Sequence, residues 1–196
     1  QATRVATFMN YQITEEMPEY FPDLDKMLFH LPLVGQTFKK VWHDPSMNRL
    51  TARFVQAEDF VVAPDSTDLR TSPRYTQLIK LSRNDYNRFV EKGYYEPLEA
   101  NEGGADVTNS DTVEKIEGLS PYEAEKDDKT VVLLEMHTYY MFDDIDGADP
   151  DDENAVAFPY VITIDQESEK IVSVRRNWEE DDEEKEKRNW FVEYKF

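Results

Sequence analysis

The 196-residue sequence contains no cysteine. Disulfide scaffolds, thiolate metal sites and cysteine nucleophiles are therefore excluded from it. No apolar run approaches the roughly 20 residues that a membrane-spanning helix needs, and no signal peptide opens the chain. The first residue, Gln1, falls inside a predicted helix, and the last, Phe196, inside a predicted strand. We therefore expect the sequence to be a piece of a longer polypeptide.

Basic residues are scarce in the second half of the chain, so the charge is strongly asymmetric. Residues 1–98 carry 13 acidic and 12 basic residues, a net charge of −1. Residues 99–196 carry 29 acidic and 10 basic residues, a net charge of −19. A surface that grips duplex DNA needs Lys and Arg to displace counterions from phosphate, so this charge argues against one. The total of −20 also predicts a monomer at micromolar concentration, because like charges oppose self-association.

Aromatic residues, in contrast, make up 13% of the chain, which is high for a disordered sequence, so a packed core is expected. Helical spacing predicts a first helix that ends at Met17-Pro18 and a second helix from Pro22 that Pro32 stops. The apolar stripe predicted for the second helix comprises Leu24, Met27, Leu28 and Leu31.

Period-two patterns predict strands at residues 36–43, 49–56, 60–62, 74–81, 130–142, 158–164, 171–176 and 190–194. Ser82, followed three residues later by Asp85, is typical of the N-cap of a short helix, which Gly93 ends. The fold predicted is α+β, with early helices packed on a mostly antiparallel sheet of β-hairpins. The predicted core consists of Phe8, Leu28, Leu31, Phe38, Val41, Phe54, Val61, Ile79, Phe89, Leu133, Val161, Ile164, Val172 and Phe191.

The predicted organisation is one domain with a long acidic insertion. Residues 1–98 supply the helices and a β-hairpin core, and residues 130–196 continue the same domain with further hairpins. Residues 99–129 between them hold ten acidic residues, three basic residues and three of the six glycines, without strong periodicity. This composition predicts a mobile insertion.

Residue patterns that carry catalysis or bind cofactors are absent from the sequence. His30, His43 and His137 do not stand in a metal-ligand spacing such as H-E-x-x-H, so structural or surface roles are expected for them. Phosphate-binding loops, dinucleotide fingerprints and G-x-S-x-G motifs are also missing. We therefore expect a non-enzymatic protein, with no catalytic, cofactor-binding or metal-ligating residues.

Two acidic stretches invite a binding interpretation. Residues 143–153 hold seven acidic residues, and Glu153 stands six residues after Gly147, as in a calcium-binding EF-hand loop. Phe142, however, occupies the first ligand position, and the predicted flanks are strands instead of helices. A solvated loop is therefore the prediction. For residues 179–186, an exposed connection between two strands is predicted.

Nine short stretches of the sequence carry a resemblance to a known protein family. They are MNYQ (9–12), LPLVG (31–35), FKKV (38–41), AEDFVV (57–62), PRYT (73–76), FPYV (158–161), TID (163–165), RRNW (175–178) and RNWFV (188–192). Taken together and in this order, they resemble the portal proteins, or head-to-tail connectors, of short-tailed double-stranded-DNA bacteriophages. The similarity runs from residue 9 to residue 196 and lapses at 99–129.

The resemblance implies a structural virion protein that forms a ring, typically of twelve subunits, at one vertex of the capsid. DNA enters and leaves the head through the ring, the packaging motor (terminase) docks on it, and capsid and tail proteins contact it. This segment would belong to the outer body, or wing, upstream of the channel-lining stem, with no direct grip on DNA and no membrane partner. The implied location is the virion, and the host cytoplasm during assembly.

Two other interpretations stay open. The chain could be an acidic protein-interaction module, for instance a host-directed phage protein that imitates nucleic acid through its carboxylates. It could also be a hydrolase that uses carboxylates of the acidic loop with a divalent metal. The first interpretation predicts tight binding to a basic protein, and the second predicts metal-dependent turnover.

Overall fold

The computed structural model describes residues 2–44, 47–98, 130–142 and 156–196. Over these residues the fold is α+β, with a few helices and two mostly antiparallel sheets, which confirms the predicted class. The chain divides into two compact units, residues 1–72 with 188–196 (unit 1) and residues 73–187 (unit 2). The predicted division at 1–98, 99–129 and 130–196 stays a prediction, because residues 99–129 lie outside the described residues. In the described ranges, no helix is long and apolar enough to cross a membrane.

The elements follow one another in nearly the order that the sequence predicts. A π-helical turn (Gln12–Glu16) follows the first helix, and a 3-10 turn (Ala57–Asp59) precedes the third strand. The helices are α1 (Ala2–Tyr11), α2 (Tyr20–Val34) and α3 (Arg83–Glu91). The strands are β1 (Gln36–Asp44), β2 (Arg49–Val55), β3 (Phe60–Val62), β4 (Arg74–Ser82), β5 (Thr130–Tyr140), β6 (Phe158–Asp165), β7 (Ile171–Arg176) and β8 (Phe191–Lys195).

Unit 1 is built on a three-stranded antiparallel sheet with the order β2-β1-β8. Phe38 at the centre of β1 pairs with Val55 on one side and with Glu193 on the other. On one side of the sheet, the centroid of the Phe60 ring lies 4.2 Å from the centroid of the Phe38 ring and 4.8 Å from that of the Phe191 ring. Helix α2 packs against β1 and β2. The early helix and the first hairpin thus form one small core with the last strand of the chain.

Helix α2 continues past the proline that was expected to stop it. Pro32 lies inside the helix, which ends at Val34. Gly35 provides the end, because its φ of +81° is in the left-handed region and its N–H donates to the Leu31 carbonyl at 2.8 Å. Proline removes one backbone donor from the helix, but two more residues follow before the glycine cap. The predicted end at Pro32 is therefore wrong.

Unit 2 contains antiparallel strands in the order β4-β5-β6-β7. A short turn joins β6 and β7 as a hairpin, whereas α3 lies between β4 and β5 in the chain. One face of this sheet packs against α3 and the segment that follows it. The buried cluster there consists of Tyr86, Leu98, Val131, Leu133 and Val172. The Tyr86 hydroxyl donates to the Glu96 carbonyl at 2.5 Å, and burial raises the pKa of this phenol to about 12. A buried phenol with this partner keeps α3 in register on the sheet.

The predicted core is correct at five strand positions and wrong at two helical and two strand positions. Phe38, Leu133, Val161, Val172 and Phe191 are buried, as predicted. Half-buried positions are Leu31, Phe54, Ile79, Phe89 and Ile164. The predictions for Phe8 and Leu28 on the helices and for Val41 and Val61 on the strands are wrong, since all four are exposed. Alternation in a strand identifies the side chains that share a face but not which face is covered, and α2 is apolar on two sides, so its spacing alone does not choose between them.

The predicted N-cap of α3 gives a stability prediction. The Asp85 backbone N–H donates to the Ser82 hydroxyl oxygen at 3.1 Å, and the Ser82 hydroxyl donates to the Asp85 carboxylate at 2.7 Å. We expect Ser82→Ala to lower the free energy of unfolding of unit 2 by about 1 kcal/mol, because a helix N–H loses its acceptor. Urea denaturation checks this. Ser82→Asp, which keeps an acceptor oxygen, should change the stability by less than half as much.

Candidate interaction surface

Helix α1 has its whole surface exposed, including its apolar side chains. Val5, Phe8 and Met9 follow one another at the i, i+3 and i+4 spacing, so they share one face of the helix. All three are more than half exposed. An isolated helix of ten residues is marginal in water, and most helical stability in proteins comes from packing an apolar face. The exposed apolar face of α1 is therefore a candidate contact surface.

Helix α2 is apolar on both sides, and only one side is covered. The inner side presents Met27, which is buried, and Leu24 and Leu31, which are half-buried. The outer side carries four large side chains that are all more than half exposed. These are Phe21, Leu28, Phe29 and Leu33, the last two at 68% and 70% exposure. Because a helix that is apolar all round is normally buried on all sides, the exposed outer stripe is typical of a protein-binding surface.

Polar contacts on the inner side fix which stripe of α2 faces outward. The Phe54 backbone N–H donates to the Asp23 carboxylate at 3.2 Å, and Asp23 is itself buried. The Lys39 ammonium, also buried, lies 3.7 Å from the centre of the Tyr20 ring. Burial lowers the pKa of Lys39, and the nearby Asp23 carboxylate opposes this effect. These buried polar partners would be lost if α2 rotated, so the exposed stripe is a fixed property of unit 1.

A bidentate ion pair fixes the start of α2 to the first hairpin. The two terminal nitrogens of Arg49 donate to the two carboxylate oxygens of Glu19 at 2.8 and 2.9 Å. Arg49 also donates to the backbone carbonyl of Glu16 at 2.8 Å, at the end of the π-helical turn. Burial alone would raise the pKa of Glu19, but the hydrogen bond and charge of Arg49, a backbone hydrogen bond and the charge of Arg53 together outweigh it, and this pKa is lowered. The junction between α1 and α2 is thus attached to β2.

The two units differ in charge far more than in size. Unit 1 contains 11 acidic and 9 basic residues, a net charge of −2, and unit 2 contains 31 and 13, a net charge of −18. Arg4 is the charged residue of α1, and the exposed charged residues of α2 are Asp25 on the outer stripe and Lys26 beside it. The apolar surface of unit 1 therefore carries few charges, whereas the sequence of unit 2 is strongly acidic.

Unit 2 contains a buried polar network on the same face of the sheet as its core. The His137 Nε2 lies 3.0 Å from Glu135 Oε1, and an Arg175 terminal nitrogen lies 3.3 Å from the other Glu135 oxygen. The ring of Tyr75 stacks on that of His137 with centroids 4.9 Å apart. Glu135, His137 and Tyr75 are buried, and burial raises the pKa of Tyr75. This network joins β4, β5 and β7 through charge-assisted contacts.

The acidic connection before β8 is attached to the sheet by two lysines. The Lys187 ammonium lies 4.8 Å from the centre of the Tyr75 ring, and burial lowers its pKa. The Lys185 ammonium lies 3.8 Å from the centre of the Phe158 ring and 5.6 Å from that of Trp178. The acidic side chains between residues 179 and 186 are mostly exposed, as expected for a solvated connection. Cation–π contacts therefore position a segment whose carboxylates face solvent.

The three histidines singled out in the sequence differ in burial. His30 is half-buried against the Phe54 ring at 5.4 Å, His43 is exposed on β1, and His137 is buried. Among the residues that the structure describes, no three His, Asp or Glu side chains are grouped to hold a metal ion. The loop with calcium-like spacing, residues 143–153, lies outside the described residues. Comparison with known proteins gave no match, either to a family model or to a curated protein.

Proposed function

We propose that this chain is a segment of a portal protein, the ring at one capsid vertex through which a short-tailed double-stranded-DNA phage packages and ejects its genome. The observation that carries the proposal is the collinear set of short stretches from residue 9 to residue 192. Each stretch is short, but their common order along almost the whole chain is specific. The role is structural, in the virion and in the host cytoplasm during assembly, and no catalytic, cofactor or metal site is proposed.

The exposed apolar surface of unit 1 supports a role in an assembly. Large hydrophobic side chains on both α1 and α2 are more than half exposed, and buried partners on the inner side of α2 fix this arrangement. Contiguous exposed apolar patches mark protein–protein contacts. A subunit of a ring has neighbouring subunits that cover such a patch. Unit 1 is therefore proposed to face protein in the assembled ring.

The charge of unit 2 supports a position away from the DNA. A net charge of −18 repels phosphate and attracts basic surfaces. Lys185 and Lys187, which lie among the acidic residues, are already engaged by aromatic rings. We propose that this unit belongs to the outer body, or wing, of the ring, where solvent, the packaging motor, capsid and tail proteins are the available partners.

The same charge favours one alternative function. An acidic module that imitates nucleic acid would use the carboxylates of unit 2 to bind a basic partner protein. The two functions differ in what the isolated chain does. The alternative predicts tight, salt-sensitive binding to a basic nucleic-acid-binding protein, and the portal segment predicts weak binding.

The proposed function is tested on the isolated chain and on the full-length protein that contains it. Fluorescence anisotropy of the isolated chain with duplex DNA should give a dissociation constant no tighter than about 100 μM at physiological salt. Light scattering of the full-length protein should give the mass of a closed multimer of about twelve subunits. Nanomolar DNA binding by the chain would contradict the outer-body position, and a full-length protein that stays monomeric at every salt concentration would contradict the portal.

A further inference from the structure

Helix α1 and the outer stripe of α2 are complementary in charge and in spacing. Arg4 and Phe8 are four residues apart on α1, so they lie on one face, one turn from each other. Asp25 and Phe29 are also four residues apart on the outer side of α2. All four side chains are exposed. Each pair therefore consists of one charge followed one turn later by an exposed phenylalanine, and the two charges have opposite sign. Lys26, the other exposed charge of α2, lies 3.8 Å from the Asp23 carboxylate.

We propose that α1 of one copy of this chain packs along the outer stripe of α2 of a second copy, with Arg4 opposite Asp25. In a parallel arrangement this register also brings Phe8 to Phe29, so an ion pair and an aromatic pair form together. The contact covers the apolar faces of both helices. It rests on the proposed function only for its biological role, as part of the contact between neighbouring subunits of the ring.

The size of the contact predicts a weak association for the isolated chain. Eight exposed apolar side chains take part, four on each helix, and each exposes on the order of 100 Å². The interface would therefore bury roughly 800 Å² in total, below the 1,200 Å² or so at which specific complexes become stable. The side chains are Val5, Phe8, Met9 and Tyr11 on α1, and Phe21, Leu28, Phe29 and Leu33 on α2. We expect a dissociation constant of roughly 0.1 mM, which agrees with a monomer at micromolar concentration.

The charge distribution favours a second copy as the partner. Unit 1 has a net charge of only −2, so two copies can approach through this unit with little repulsion. A basic partner would be attracted to unit 2, whose charge is −18, and not to these helices. The surface itself offers a complementary patch, because the base on α1 and the acid on α2 are displayed by the same chain. A heterologous contact of this kind can repeat around a ring.

Charge exchange between the two helices tests the proposal on the isolated chain. Sedimentation equilibrium from about 5 to about 500 μM, near physiological salt, should show the average mass of the unmodified chain rising with concentration. Arg4→Glu and Asp25→Arg should each weaken the association about tenfold, because each places like charges opposite one another. The double variant, and an equimolar mixture of the two single variants, should recover the original association.

The controls separate this contact from general charge effects and from misfolding. Arg70→Glu and Asp65→Arg change exposed charges of unit 1 in the segment after β3, outside both helices, and should leave the association unchanged. A mixture that associates while its components do not would also show that both single variants are folded. The proposal is overturned if the unmodified chain stays monomeric at about 500 μM, or if the double variant and the mixture stay as weak as the single variants. Either failure leaves ring formation by the full-length protein to be judged separately.

Discussion

Truncation of Leu133 to alanine is expected to lower the free energy of unfolding of unit 2 by about 3–5 kcal/mol. Leu133 lies in β5, has no exposed surface, and packs in the cluster with Tyr86 and Val172. The substitution removes the two buried methyl groups and the CH group that bears them, and leaves a cavity beside a strand that is paired on both sides. Hydrogen exchange of the β5 amides measures the loss within unit 2 itself.

A second leucine provides a matched control for this measurement. Leu28 on the outer stripe of α2 is 56% exposed, so Leu28→Ala should change the free energy of unfolding by no more than about 0.5 kcal/mol at micromolar concentration. The two substitutions are chemically identical, and burial is the main difference between the two positions. Equal losses at both positions would contradict the placement of α2 and of its exposed stripe.

Replacement of Glu135 by leucine is the other change for which we expect a large effect, about 3 kcal/mol. The variant keeps a similar side-chain volume but removes both acceptor oxygens, which leaves His137 buried beside an apolar group and Arg175 without its carboxylate. Removing one partner of a buried ion pair typically costs 3–5 kcal/mol. The lower end applies here, because the Arg175 side chain is 39% exposed and water partly solvates its guanidinium group.

A graded series of variants distinguishes lost charge from lost shape at Glu135. Glu135→Gln keeps one acceptor oxygen and should lose less stability than Glu135→Leu. Glu180→Leu, at an exposed position in the acidic connection, should have an effect within about 0.5 kcal/mol. Hydrogen exchange of the β5 and β6 amides reports the stability of the sheet in each variant. A Glu135→Leu protein as stable as the unmodified protein would show that the network does not hold the sheet together.

The strands and the cap of α3 were predictable from local rules. Alternation with a period of two places β1, β2, β4 and β6 within about a residue of the structure, because successive side chains of a strand point to opposite faces of the sheet. Ser82 and Asp85 form the predicted cap, since that contact involves residues three positions apart. Both signals are local, so no tertiary information is needed to read them.

The orientation of α2 was not predictable in the same way. Its sequence carries two apolar stripes, and the choice between them depends on Asp23 and Tyr20 finding partners on β1 and β2. Those partners are between 15 and 35 residues away in sequence. The spacing of apolar residues within a helix carries no information about contacts at that separation. The exposed stripe, on which the proposed contact between two copies depends, is therefore apparent only from the packing of unit 1.

The buried network of unit 2 was missed for a related reason. A partial signal was present, because Glu135 and His137 interrupt an apolar strand at alternate positions and so share one face. The third member, Arg175, lies two strands away, and the register of β5, β6 and β7 is needed to bring it to Glu135. Polar residues at alternating positions of a buried strand predict that a partner exists, but not which residue it is.

The central claim, that this chain belongs to a ring-forming portal, is tested most directly by negative-stain electron microscopy of the full-length protein that contains it. Purified protein at micromolar concentration should show closed rings with a central channel and about twelve subunits in end-on views. Imaging does not depend on the α1–α2 contact being correctly assigned, so it judges the portal alone. Isolated single particles without rings, over a range of salt concentrations and in the absence of any partner, would contradict the account.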